Sequence, residues 1–167
     1  MRRAVILLSF ISVLARAQGL PEDHFGHYKG KLQIFAADQT NTVDMEFKLQ
    51  PTPDPEVYNY VIIYHTPKQK DVRKYLLKAK DSLGNFVLDE QNGIAIPTKY
   101  INRSLHAFFE VQSKLLKNTV RFKDQEVEFE ISVANTKIPD TTSTADLKYQ
   151  VLSYPVKTYQ YAKLVKH

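Results

Sequence analysis

The chain has 167 residues, 23 basic and 18 acidic, with ten tyrosines, nine phenylalanines and neither cysteine nor tryptophan. The lack of cysteine excludes disulfides, thiol catalysis and thiolate metal sites. Without Arg2, Arg3 and Arg16 the chain carries 20 basic against 18 acidic residues, mixed along its length. That balance lacks the dense basic face of a nucleic-acid binder and argues against charge-driven docking on anionic lipid.

Met1-Arg2-Arg3, the apolar run Ala4–Leu14 and Ala15-Arg16-Ala17 before Gln18 have the order of a cleavable secretory signal. The run is shorter than the ~20 residues a spanning helix requires. We expect residues 1–17 to be removed after Ala17, leaving an exported chain of periplasmic or secreted location. With no cysteine near the cleavage site and no apolar tail at Lys163–His167, no membrane anchor is expected. Residues 18–27 read as a flexible N-terminal segment and 28–167 as a single domain of ordinary size.

In chain order, Tyr28–Ala36 places Leu32, Ile34 and Ala36 on one side. Val43, Met45, Phe47 and Leu49 then alternate with Asp44, Glu46 and Lys48, the period of a strand with one wet face. Pro51–Pro55 is a stiff loop, and Val57–His65 is apolar on both faces. Residues 66–80 fit two readings. Thr66-Pro67 can cap a helix bearing Val72, Tyr75, Leu76 and Ala79, or Val72–Lys80 can pair as a strand with Asn85–Glu90 across Gly84. We prefer the strand.

Asn92-Gly93 between Asn85–Glu90 and Ile94–Tyr100 is a strong hairpin signal. Leu105–Val111 and Leu115–Phe122 follow as strands. In the next, Val127, Phe129, Ile131 and Val133 alternate with Glu126, Glu128, Glu130 and Ser132. Ile138–Thr144 reads as a polar, mobile loop, and Pro155 splits Leu147–Leu164 in two, since proline cannot donate to a ladder. Nine or ten short strands joined by close turns predict an all-β, antiparallel up-and-down barrel of about ten strands.

Gly26-His27-Tyr28 on the first strand resembles the G-x-W signature of lipocalins, with tyrosine at the tryptophan position. Arg73-Lys74-Tyr75, Asp89–Ile94, Phe109-Glu110-Val111 and Phe129-Glu130-Ile131, in that order, resemble exported, lipocalin-like (calycin-type) barrel proteins of Bacteroidota. The resemblance covers roughly residues 28–134. It implies the fold and transfers no active site.

No catalytic constellation stands out, and no cofactor is expected. His24 and His27 have metal-compatible spacing but lack further ligands, with His65 and His106 on different strands. No nucleophile elbow accompanies the serines. Asp89 and Glu90, adjacent on a strand, point to opposite faces and form no dyad. One of them turned inward would meet Arg73. The tyrosines, Tyr58, Tyr60, Tyr64, Tyr100, Tyr149, Tyr154, Tyr159 and Tyr161 among them, suit a sheet exterior or a ligand pocket. Asn102-Arg103-Ser104 is an N-glycosylation acceptor in a eukaryotic setting.

A barrel wider than eight strands leaves interior space for a small ligand. The expectation is therefore a monomeric, non-enzymatic binder of a small apolar ligand. Val61, Ile63, Phe109, Val111, Phe129 and Ile131 are its candidate lining, with Arg73 as polar anchor. The alternative is a periplasmic or extracellular interaction module with a filled barrel.

Overall fold

The computed structural model describes residues 22–37 and 39–167. The expected export signal, residues 1–17, lies outside them. A 3-10 turn at Glu22–His24 leads into β1 (Gly26–Ala36), β2 (Gln39–Pro51), β3 (Val57–His65), β4 (Lys70–Ala79), β5 (Asn85–Asp89) and β6 (Ala95–Ile101). Then come β7 (Ser104–Val111), β8 (Lys114–Phe122), β9 (Glu126–Asn135), β10 (Asp140–Ser143), β11 (Gln150–Ser153) and β12 (Val156–Lys166).

Ten of these strands close into an antiparallel barrel in the order β1-β12-β9-β8-β7-β6-β5-β4-β3-β2, each paired with its sequence neighbour except where β12 joins β9 to β1. The ambiguous residues 66–80 hold a strand, β4, whose Tyr75 and Leu77 share a face with Tyr60 and Tyr58 of β3 across the ladder.

Residues directly opposite in a ladder project to the same face, so registers fix the interior. Phe47 opposite Ile62 and Leu49 opposite Tyr60 place Tyr58, Tyr60, Ile62 and Tyr64 inside. Val61 and Ile63, expected in the lining, project from the outer face, where Ile63 is buried under its neighbours. In a strand apolar on both faces, alternation alone leaves the phase undetermined. The partner strand decides it.

Strand direction sorts the connections into two ends. The base carries the β2–β3, β4–β5, β6–β7 and β8–β9 turns, the 3-10 turn and His167. His24 is buried there, its ring stacked on Phe122 at 4.6 Å and its Nε2 3.3 Å from the Tyr100 hydroxyl. Tyr28 donates its hydroxyl hydrogen to the His24 carbonyl at 2.8 Å. Phe47 joins this cluster, edge-on to Tyr60 at 4.8 Å and 6.4 Å from Phe122. Residues 22–27, expected within a flexible lead, thus include the plug of the base and the start of β1.

Two glycines are fixed by contact. A Cβ on Gly30 would lie 2.3 Å from the Lys163 carbonyl oxygen, so only glycine permits the β1–β12 closure there. Gly84 has φ +82°, and its added Cβ would approach the Tyr100 carbonyl oxygen at 2.9 Å. The Asn102–Arg103 acceptor sequence forms the two-residue β6–β7 turn, both residues at positive φ.

The outer face is charged, with Arg121–Glu130, Lys123–Glu128, Lys163–Glu126 and Lys78–Asp89 bridging adjacent strands or turns. A transmembrane barrel presents an apolar band outward instead. Between β9 and β12 the chain makes an excursion. Ile138–Thr144, expected as a polar loop, contains strand β10, which pairs with β11 in a two-stranded arm apart from the barrel sheet. A main-chain partner is available across a tight turn, so backbone pairing outweighs the polar composition.

Candidate ligand cavity at the barrel mouth

The other end, the mouth, carries the β1–β2, β3–β4, β5–β6 and β7–β8 turns and the root of the arm. Here the barrel is open. A cavity of about 310 Å³ lies between Leu32, Ile34, Val43, Leu116, Ile131 and Val133, with Gln160 among them, on one side and Tyr64, Thr66, Asp71 and Arg73 on the other. The apolar members sit on strands β1, β2, β8 and β9, at inward positions fixed by the ladders Leu32–Val43, Leu116–Val133 and Ile34–Gln160.

The polar members come from β3, β4, the turn between them and β12. Arg73 faces inward because it stands opposite Ile62. Its guanidinium lies 5.2 Å from the centre of the Tyr64 ring and donates to Asp71 Oδ2 at 3.2 Å. Burial alone would ease the Arg73 proton off, but Tyr64, Tyr75 and Asp71 around it outweigh that and hold its charge more firmly. Burial pushes the Tyr64 hydroxyl up to about 12, so it remains a neutral donor and acceptor. The β3–β4 rim thus offers a guanidinium paired with the Asp71 carboxylate, a phenol and a hydroxyl, facing an apolar wall that carries the one amide of Gln160.

Below the cavity the interior is filled. Tyr60, Leu77, Phe129 and Val120 are fully or nearly fully buried, and burial raises the Tyr60 hydroxyl strongly. A void of about 10 Å³ remains among Tyr60, Leu77, Leu88, Thr98, Leu105, Ala107, Asn118 and Val120. That is about the space of one water. Asn118 Oδ1, buried there, accepts no hydrogen bond among the described residues. Asn118 stands opposite Ile131, a cavity-lining residue, so its amide marks the floor of the mouth cavity.

Of the residues expected to line a pocket, Ile131 and Arg73 line this cavity. Phe109 packs against the core beside Leu116, and Phe129 lies one layer deeper, in the packed core. Val111 keeps the inward phase but is exposed near the rim. Val61 and Ile63 are outside. Asp89 turns outward to accept from Lys78 Nζ at 2.6 Å, so the expected Arg73 pairing with Asp89 or Glu90 gives way to Arg73 with Asp71. Asp71 and Gln160 escaped the sequence reading because their phase depends on the β3–β4 and β9–β12 registers, whereas Tyr64, one of the tyrosines read as suiting either a pocket or a sheet exterior, is placed inside by the β2–β3 register.

The histidines part company. His24 is inside the base, whereas His27 and His65 lie on the outer face, their Nε2 atoms 2.6 and 2.7 Å from the two oxygens of Glu46. All three tyrosines of β3, together with Tyr75 and Tyr100, face inward. Tyr159 and Tyr161 remain on the exterior, the former stacked on Phe35 at 6.1 Å.

The sequence matches no protein-family model and no curated protein. Among solved structures it is similar to a protein of unknown function of the DUF3598 family from Nostoc punctiforme, at TM-score 0.58 and 9% identity. The match covers 87% of this chain but 48% of the other, so this chain spans about half the length of that neighbour. At such identity the likeness is one of fold, and the chain is a closed ten-stranded antiparallel barrel that shares its architecture with a larger protein of unknown function.

Proposed function

We propose that the protein is an exported, lipocalin-like carrier of a small amphipathic molecule, held with its apolar part inside the mouth and its polar head at Arg73. One observation carries this reading. The barrel is filled at its base and open at its mouth, where a cavity of about 310 Å³ has a mainly apolar wall and polar groups gathered on β3, β4 and the turn between them. Ligand pockets begin at about 300 Å³ and share that division of labour. A guanidinium backed by an aromatic face suits a carboxylate or similar planar anion. The basic, apolar, small-residue order of residues 1–17 supports export.

The test is native mass spectrometry of residues 18–167 after exposure to a lipid and metabolite extract of the source organism. A reproducible adduct is expected, lost in Ile131→Trp, which fills the cavity, and weakened in Arg73→Met. A bare protein mass in every extract counts against a carrier. An adduct indifferent to Ile131→Trp places the ligand elsewhere. The second reading, an interaction module, draws on the exposed apolar side chains of the arm. It gains ground if no adduct forms.

A further inference from the structure

The β10–β11 arm buries none of its apolar side chains. Ile138 at its root and Leu147 at its tip are 78% and 81% exposed, and Tyr149, Val151 and Leu152 are exposed between them. Such a cluster on a thin projection is costly to leave in water and marks a contact surface. The turn beyond β10 is nonetheless well made. Asp146 Oδ1 accepts from the Thr144 hydroxyl and from the Lys148 amide, and Thr144 and Leu147 close a main-chain hydrogen bond at 2.9 Å.

The distribution of these side chains identifies the occupant. Val151 stands opposite Thr142 and Leu152 opposite Thr141, so the two project from opposite faces of the ribbon. Leu147 adds a third direction at the tip. A groove on a protein reads one face of a strand and leaves the other in water. An apolar medium that surrounds the ribbon satisfies all three directions together. Four paired residues per strand give ~13 Å of ribbon, more than the ~5–10 Å depth to which interfacial segments sink. Tyr149, with Lys148 lying 5.3 Å from its ring centre, supplies the amphipathic pair that settles at a headgroup boundary.

We propose that the arm inserts its tip into the surface of a lipid bilayer and sets the barrel on the membrane mouth-first. The arm grows from the ends of β9 and β12, which contribute Ile131, Val133 and Gln160 to the cavity, so its root lies at the mouth, at the end opposite the base. Attachment is apolar rather than electrostatic. The arm sets Lys137, Lys148 and Lys157 against Asp140 and Asp146, a net of only one positive charge, and the barrel wall is a mixture of both charges that stays in water. The inference concerns the arm alone and holds whether or not the cavity carries a ligand.

The absence of tryptophan makes a clean reporter possible. In Leu147→Trp, addition of phosphatidylcholine vesicles is expected to shift the emission to the blue and to expose the ring to quenching by brominated acyl chains. The effect is expected to survive high salt. Val151→Ser with Leu152→Ser, at sites already in water, leaves the melting temperature unchanged and lowers vesicle partitioning at least tenfold. Emission that does not move at saturating vesicles overturns the proposal. So does a blue shift that grows with protein concentration without lipid, which assigns the arm to a second copy of the chain. Binding abolished by salt overturns the apolar mode.

Discussion

If the barrel is filled at one end and open at the other, equal truncations at the two ends must have unequal costs. Phe47→Ala removes a ring with no exposure to solvent, held between Tyr28, Tyr60 and Phe122 at centroid distances of 6.1, 4.8 and 6.4 Å. No neighbour can follow it, because those rings are fixed by the Tyr28–His24 hydrogen bond and by the ladders around them. The expected loss is about 3–5 kcal/mol for cavity formation, with roughly another 1 kcal/mol from the lost aromatic pairs. Ile131→Ala removes a side chain that already faces an open cavity, so solvent replaces it and little new void forms. About 1 kcal/mol is expected, the transfer of a few methylenes from a half-wet site. Urea unfolding of both variants, followed by far-ultraviolet circular dichroism, gives the two differences on one scale. A cost for Ile131→Ala equal to that for Phe47→Ala refutes an open mouth and makes the interior solid throughout.

Three further outcomes follow from specific contacts. Gly30→Ala, whose methyl would meet the Lys163 carbonyl oxygen at 2.3 Å, is expected to cost at least about 2 kcal/mol by forcing apart β1 and β12. In Gly93→Ala the methyl meets nothing within 4 Å, and the change costs about 1 kcal/mol from its φ of +98° alone; equal melting temperatures for the two variants defeat the closure argument. Burial lowers the His24 proton affinity, so the folded state resists its protonation. Its contribution to stability is complete above the ordinary value of 6.5 and declines as the pH falls below it. His24→Phe should flatten the stability profile in that range. Glu46 responds lower on the scale. Burial would raise its carboxyl, but hydrogen bonds from His65 and His27 outweigh that and hold it below 4.5. Its contribution is present above 4.5 and is lost as the pH falls through its lowered folded value, and Glu46→Gln should remove that acid step while costing about 1–2 kcal/mol at neutral pH. Chemical unfolding from pH 8 to pH 3 separates the two.

Alternation with period two is a local property, and it determined much of this molecule. The strands Gln39–Pro51 and Glu126–Asn135, with apolar residues on one side and charge on the other, were legible because each has one buried face. The turn at Asn92-Gly93 and the break at Pro155 were legible for equally local reasons, a permitted positive φ and a missing donor, although the positive φ falls on Gln91 and Gly93 rather than on Asn92. Ten such strands in hairpin order imply closure, since an open sheet of that length would leave two bare edges.

Phase, by contrast, is a property of pairs. Val57–His65 is apolar on both faces, so nothing within it says whether Val61 or Ile62 faces inward; Phe47, across the ladder, does. The same holds for Arg73, whose partner was sought at Asp89 or Glu90 on the neighbouring strand and proved to be Asp71 on its own strand. The cavity itself could not be read from composition, because it depends on which end the bulky rings fill. Tyr28, Phe47, Tyr60 and Phe122 gather at or toward the base, with His24 sealing it, and the smaller Ile34, Val43 and Val133 are left at the mouth. The sequence by itself determined that this chain alternates, turns and closes. Only the tertiary structure decided which side of each strand is inside and which end of the barrel stays open, because both are settled by registers between strands and by how large side chains from distant strands share one interior.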